Sequence, residues 1–203
     1  MSLSTKERQS GFTLVEMLVS VGIAMVILAV IVFNQSTYSD AAGLAQDADN
    51  LALVFSEQQA YGVAVKQAGS VTPTFDSAYG VVVSTSDSPT SYIAFIDSDG
   101  NSHYTGAWSC GAHPECVQLV SLVRGNTVTS VCPLTSSGVD CGSVTRVDVT
   151  FLRPKTTAVL RFYDGSGQGV SVSNLVGAQI TIESPRGRTK AVTFYQSGQV
   201  SVQ

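Results

Sequence analysis

The order of polar and apolar positions divides the 203 residues into four stretches. Residues 1–11 are polar and mildly basic through Lys6 and Arg8. From Phe12 to Phe33 the chain is Leu, Val, Ile, Ala, Met and Phe, relieved only by Thr13, Glu16, Ser20 and Gly22. A run of about 20 such residues, rising 1.5 Å each as a helix, is long enough to cross a bilayer core of about 30 Å. Residues 34–68 then open with the polar Asn34–Asp40, after which Leu44, Ala48, Leu51, Phe55, Gly62 and Val65 recur at helical intervals. This pattern predicts an amphipathic continuation with its apolar stripe turned inward. Asp40, Asp47, Asp49, Glu57 and Lys66 are expected on its solvated face. The first proline is Pro73, so one helix from Phe12 to about Lys66, roughly 80 Å long, is expected to fray near Gly62 or Gly69.

From residue 69 to 203 the period changes to two. Strands are expected over Tyr79–Thr85, Tyr92–Asp97, Val117–Val123, Thr127–Val131 and Val144–Leu152. Further strands are expected over Ala158–Tyr163, Gly169–Ser173, Ala178–Glu183, Lys190–Tyr195 and Gln199–Val202. Turn signals separate them at Asp99-Gly100, Arg124-Gly125-Asn126, Asp164-Gly165, Pro185-Arg186-Gly187 and Ser197-Gly198. Val147, Val149 and Phe151 alternate with Arg146, Asp148 and Thr150, which predicts one buried and one wet face. Ile180 and Ile182 answer Val192 and Phe194 across the Pro185 turn. The fold class expected is α+β, one long amino-terminal helix packed on an antiparallel β domain.

Glu16 is the single charge in the apolar run, and on insertion scales a carboxylate there costs about 2.5–3.5 kcal/mol. If the chain is cut after Gly11, the new amine of Phe12 stands four residues away, about one helical turn. Pairing within a chain, or with a neighbouring chain shifted along the axis, would offset that cost and select one register. An unpaired Glu16 could instead protonate.

Ser10-Gly11-Phe12-Thr13-Leu14-Val15-Glu16-Met17-Leu18-Val19 resembles the leader junction of type IV pilins and pseudopilins. The resemblance implies cleavage between Gly11 and Phe12 by a prepilin peptidase, N-methylation of Phe12, and an assembly role for Glu16. Many major pilins break this helix with a proline that is absent here. Val147–Pro154, Ile180–Glu183, Val192–Val200 and Phe95–Asn101 resemble, more loosely, the GspH/FimT type of minor pseudopilin. A pilin-like fold, residence in the inner membrane with the β domain outside it, and entry into a pilus or pseudopilus fibre follow from the resemblance. The implied partners are other pilin subunits, the prepilin peptidase, the inner-membrane assembly platform and membrane lipid.

Charged residues are only 13% of the chain and the formal net charge is −4. That charge argues against broad binding to nucleic acid, which is not expected as a partner. The basic residues before the apolar run stay on the cytoplasmic side, so the remainder faces outward. The four cysteines, Cys110, Cys116, Cys132 and Cys141, lie after that run, and an even count in an exported domain points to two disulfides. Three pairings are possible. Cys110 with Cys116 and Cys132 with Cys141 are favoured, because each pair brackets a short loop containing Pro or Gly. The spacings lack the C-x-x-C clamp of a zinc half-site.

Asp97, Asp99 and Asn101 beside Gly100 look like the start of a calcium loop, but the twelfth position is Trp108 where a bidentate Glu is needed. A polar hairpin turn is the plainer expectation, with no cofactor required. Arg186, Arg188 and Lys190 at a hairpin tip could meet phosphates or an acidic partner, but a solvated turn is the plainer expectation. His103 and His113 stand in no metal or catalytic motif, Gly165–Gly169 lacks phosphate-loop spacing, and Trp108 suits loop packing. No catalytic set assembles, so the expected function is structural and not enzymatic. The alternative is a secreted, disulfide-stapled binding domain freed by signal peptidase at Ser39-Asp40-Ala41. Against it, the apolar run exceeds a usual signal-peptide core of 7–15 residues and contains Glu16.

Overall fold

A computed structural model describes residues 11–64, 77–111, 113–152, 155 and 157–203. Among the described residues one helix, α1 (Leu14–Val63), precedes eleven strands. These are β1 (Ala78–Ser84), β2 (Ser91–Asp97), β3 (Cys116–Ser121), β4 (Thr127–Thr135), β5 (Gly138–Val139) and β6 (Val144–Phe151). They continue with β7 (Ala158–Asp164), β8 (Gly169–Val170), β9 (Leu175–Glu183), β10 (Thr189–Tyr195) and β11 (Val200–Val202). The chain forms two compact units, one ending at Ser39 and the other running from Asp40 to Gln203. The leader, with Lys6 and Arg8, and the helical positions Val65, Lys66 and Gly69 fall outside the described residues.

Among the described residues of the first unit no large apolar side chain is covered. Leu14 is 81% exposed and Phe33 82%, and the most apolar stretch of the helix is not buried at all. The helix starts at Leu14, two residues later than periodicity suggests, because Thr13 acts as its N-cap: Glu16 N–H donates to Thr13 Oγ1 at 3.2 Å. An N-cap residue keeps a non-helical backbone while its oxygen satisfies an orphan N–H of the first turn.

The second unit is an α+β domain in which Asp40–Val63 of α1 packs on two antiparallel sheets. Their strand orders are β3-β2-β1-β6-β7-β8 and β11-β10-β9-β4-β5. Leu44, Ala48, Leu51 and Phe55 enter one core with Val81, Val83, Val147, Val149 and Phe151 of the first sheet. The second sheet adds Val128, Val131, Ala178, Ile180, Ile182, Val192 and Phe194. Phe194 joins the layers, stacking on Phe55 at 5.0 Å between centroids and meeting Phe151 edge-on at 5.6 Å. Across the Pro185 turn, Ile180 faces Val192, while Phe194 lies opposite Ala178 and Ile182 opposite Lys190. Gly62, fully covered, marks a close approach: a Cβ there would stand 2.5 Å from Phe151 Cβ. It brings the helix onto β6 one residue before α1 ends.

Two expectations about wet faces are corrected. Asp148 and Thr150 of β6 are fully buried, not solvated. The connection between β2 and β3 folds over that face and builds a second core of Val82, Ile93, Phe95 and Tyr104, with Trp108, Cys110 and Cys116 against it. Asp47 is also buried, at 2% exposure, where it accepts Val123 N–H at 3.0 Å and Asn126 Nδ2 at 2.7 Å. Its position explains this: Asp47 lies three residues after Leu44 and four before Leu51, on the apolar stripe itself. Asp40 is half-buried and accepts Ser184 Oγ at 2.9 Å, whereas Asp49 and Glu57 are exposed.

Candidate functional site

The amino-terminal segment is built from its cap outward. Thr13 holds the first turn through Glu16 N–H and, by its carbonyl, through Met17 N–H at 3.2 Å. Thr13-Leu14-Val15-Glu16 has the T-x-x-E spacing of a capping box, a signal readable from the residues but missed in the periodicity. Glu16 therefore sits in the first turn, where the helix dipole favours a negative charge. It is exposed, as are Gly11 and Phe12 before it, the latter at 77%. After it the helix presents apolar side chains on every side, with Ser20 turned back on Met17 O at 3.0 Å. A helix that is apolar all round calls for lipid or other helices, not water.

Residues 6–32 match the family described as the prokaryotic N-terminal methylation motif. The match supports the resemblance of this segment to type IV pilins and pseudopilins. The chain matches no curated protein and no solved structure.

Outside this segment, the residues that the sequence singles out in the pilin-like chain are brought together only in part. Disulfides join Cys110 to Cys116 and Cys132 to Cys141. The first closes the covering loop, and the second ties buried Cys132 of β4 to the exposed segment after β5. Trp108 packs against the second core and donates from Nε1 to Ser91 Oγ at 2.8 Å.

Asp97, Asp99 and Asn101 do not converge as ligands. Asn101 turns its carbonyl oxygen to His103 N–H at 2.8 Å, and its amide donates to Asp99 at 2.6 Å. The third carboxylate near Asp97 and Asp99 is Glu115, 16 or more residues on, with one oxygen from each within 4.8 Å of the others. Sequence spacing could not reveal it. Asp97 is buried and accepts Gly100, Asn101 and Ser102 N–H at 2.8, 3.1 and 2.9 Å. Glu115 accepts Thr105 N–H and Oγ1 at 3.1 and 2.9 Å. Burial pushes the Asp97 carboxyl up, partly opposed by those N–H donors. Calcium takes six to eight oxygens, and these carboxylates also accept the hydrogen bonds that close their own turn.

Beneath the covering loop, Arg146 forms a two-pronged pair with Asp148, Nε to Oδ1 and Nη2 to Oδ2, both at 2.7 Å. Arg146 also donates to Tyr104 O and lies 5.2 Å over the Tyr163 ring. Tyr104 N–H donates to Asp148 Oδ2 at 2.8 Å, so the pair fastens the loop to β6. A polar cavity of about 490 Å³ opens beside it, lined by Asp87, His103, Tyr104, Arg146 and Tyr163. Its guanidinium is already committed to Asp148.

His103 approaches Asn101 O and the Tyr163 ring, while His113 packs edge-on against Tyr104 and accepts Glu115 N–H on Nδ1 at 3.4 Å. The Gly165–Gly169 turn is closed by Asp164, whose Oδ1 accepts Ser166 N–H, Ser166 Oγ and Gln168 N–H. The Ser166 hydroxyl and the Gln168 N–H hold that carboxyl below its usual value. Asp164 thereby takes up the N–H groups of its own turn. Arg186 and Arg188 are exposed at the β9–β10 tip, and Lys190 is half-buried.

Proposed function

We propose that this chain is a minor structural subunit of a type IV pilus-like or type II secretion pseudopilus fibre. A prepilin peptidase cuts between Gly11 and Phe12, and the new amine of Phe12 is methylated. Phe12–Phe33 holds the subunit in the inner membrane, with the β domain on the far side, until the assembly platform draws it into the fibre. There the apolar helices bundle, Glu16 meets a Phe12 amine and sets the register, and the β domain faces outward. Its work is assembly, not turnover. One observation carries the reading: the methylation-motif match lies on a helix whose large apolar side chains from Phe12 to Phe33 are all exposed. The looser likeness of the β domain to minor pseudopilins supports a place at or near the fibre tip.

Mass spectrometry of the mature chain tests this directly. N-methyl-Phe12 at the amino terminus is the expected result. A mature chain beginning near Ala42, or one retaining residues 1–11, would refute it. Glu16→Ala should leave cleavage intact and lower recovery in sheared fibres by tenfold or more, about 1.4 kcal/mol of lost pairing.

A further inference from the structure

Two turns meet at one end of the β domain and bring four cations with them. Arg124, in the left-handed region at φ 56°, leads from β3 to β4. A Cβ added to the neighbouring Gly125 would lie 3.4 Å from Pro185 in the β9–β10 turn. That turn carries Arg186 and Arg188, with Lys190 just inside β10. Both turns are moored to the same stretch of α1. The Arg124 side chain lies along Gly43, where a Cβ would come within 2.6 Å of its Cδ, and Ser184 Oγ donates to Asp40. The acids nearby are Asp40, engaged by Ser184, half-buried Glu183, and Asp47 beneath the surface. Against Asp40, Glu183 and Asp47 the four cations still leave this end net positive, on a chain whose net charge is −4.

Asp40 follows Phe33, the last residue of the apolar run, by seven positions. Even fully extended, seven residues reach no more than about 25 Å. The cations moored at Asp40 and Gly43 are therefore tethered to the end of the apolar run by no more than that length of chain. We infer that this cationic end docks on anionic phospholipid headgroups of the leaflet from which α1 emerges. The inference rests on the membrane insertion proposed above. Lipid fits better than nucleic acid for two reasons. The tether holds the headgroups at high effective concentration, and four cations alone release few counterions from a nucleic acid. Near an anionic surface each cation is worth about 1 kcal/mol, so a net excess of one favours the docked state by about fivefold.

The test reconstitutes the full chain into vesicles of phosphatidylcholine alone, or of equal parts phosphatidylcholine and phosphatidylglycerol. The readout is acylation of Lys190 relative to Lys155, by mass spectrometry. Lys155 is an internal reference at the opposite end of the domain, between β6 and β7, where Gly62 of α1 meets Phe151. Gly43 and Gly62 are about 28 Å apart at helical rise. The Lys190 to Lys155 ratio should fall by about fivefold or more on the anionic vesicles. High salt should restore it, and so should Arg124→Gln combined with Arg186→Gln and Arg188→Gln, with an unchanged melting curve. Flotation with both vesicles and an equal ratio would overturn docking while leaving the anchor standing. Failure to float with either would overturn the anchor and docking together. A ratio that falls only when duplex DNA is added would overturn lipid in favour of nucleic acid.

Discussion

Removing the carboxylate of Asp148 should cost the β domain about 3 kcal/mol. Asp148 is fully buried and accepts three hydrogen bonds, two from Arg146 and one from Tyr104 N–H. Asp148→Ala strands a guanidinium and a backbone donor. Breaking a buried pair costs about 3–5 kcal/mol, mostly from the charge left behind. The Arg146 side chain is 19% exposed and has Asp87 at 4.0 Å, which places the loss at the lower end. That is a large share of a typical total of about 5–15 kcal/mol. Urea unfolding of the detergent-solubilised chain measures it by circular dichroism. Trp108, the one tryptophan, reports the covering loop separately, because it is half-buried and bonded to Ser91. Its emission should shift to the red in Asp148→Ala before global unfolding. Arg146→Met with Asp148→Leu removes both charges and should lose only about 1–2 kcal/mol, the cost of the orphaned Tyr104 groups. A single variant that loses under about 1 kcal/mol, or a double variant as damaged as the single, would refute the stranded-charge account.

Asp47→Ala should cost about 2–3 kcal/mol in the same assay, because Val123 N–H and Asn126 Nδ2 lose their acceptor. Burial raises the Asp47 carboxyl above its ordinary 3.8, so the folded state binds its proton more tightly than the unfolded one. Its contribution therefore falls as pH rises from about 4 through the raised value, and Asp47→Asn should flatten that part of the stability profile. Replacing Cys132 and Cys141 by Ala should lose about 2–3 kcal/mol for a loop of this size, visible as a lower urea midpoint. Chelation with EDTA should leave the thermal midpoint unmoved; a clear drop, reversed by calcium, would show that Asp97, Asp99 and Glu115 hold a cation.

The helix and ten of the eleven strands were legible because each carries its own period, and they fall within a few residues of the pattern. The missed β5 has two residues, too few to show a period. The larger misses share one cause. Alternation in β6 correctly separates two faces, but it cannot say what lies over the second. The cover is an aperiodic loop pinned by Tyr104, Glu115 and a disulfide. Asp47 was readable and misread: its spacing from Leu44 and Leu51 puts a carboxylate on the apolar stripe, which requires donors, and Val123 and Asn126 supply them. Thr13 was readable too, from the capping-box spacing. The proximity of Glu115 to Asp97 was not, since β2 and β3 must pair before those residues meet.

The main core draws its buried side chains from Leu44 onward, so the domain closes without help from the apolar run. The run itself is then free to choose between lipid and other helices. That choice gains little from the hydrophobic effect, because lipid tails are as apolar as the side chains of a neighbouring helix. Direction must come from a polar term, and in the run after Phe12 only Glu16 is charged. Before cleavage the nitrogen of Phe12 is a peptide amide and cannot neutralise it. On the proposed reading, cleavage after Gly11 turns that nitrogen into an amine, and the charge that was only a cost in lipid gains a partner. On the proposed reading, processing thereby supplies the driving force for assembly as well as the mature end, which is why Glu16→Ala should separate the two steps.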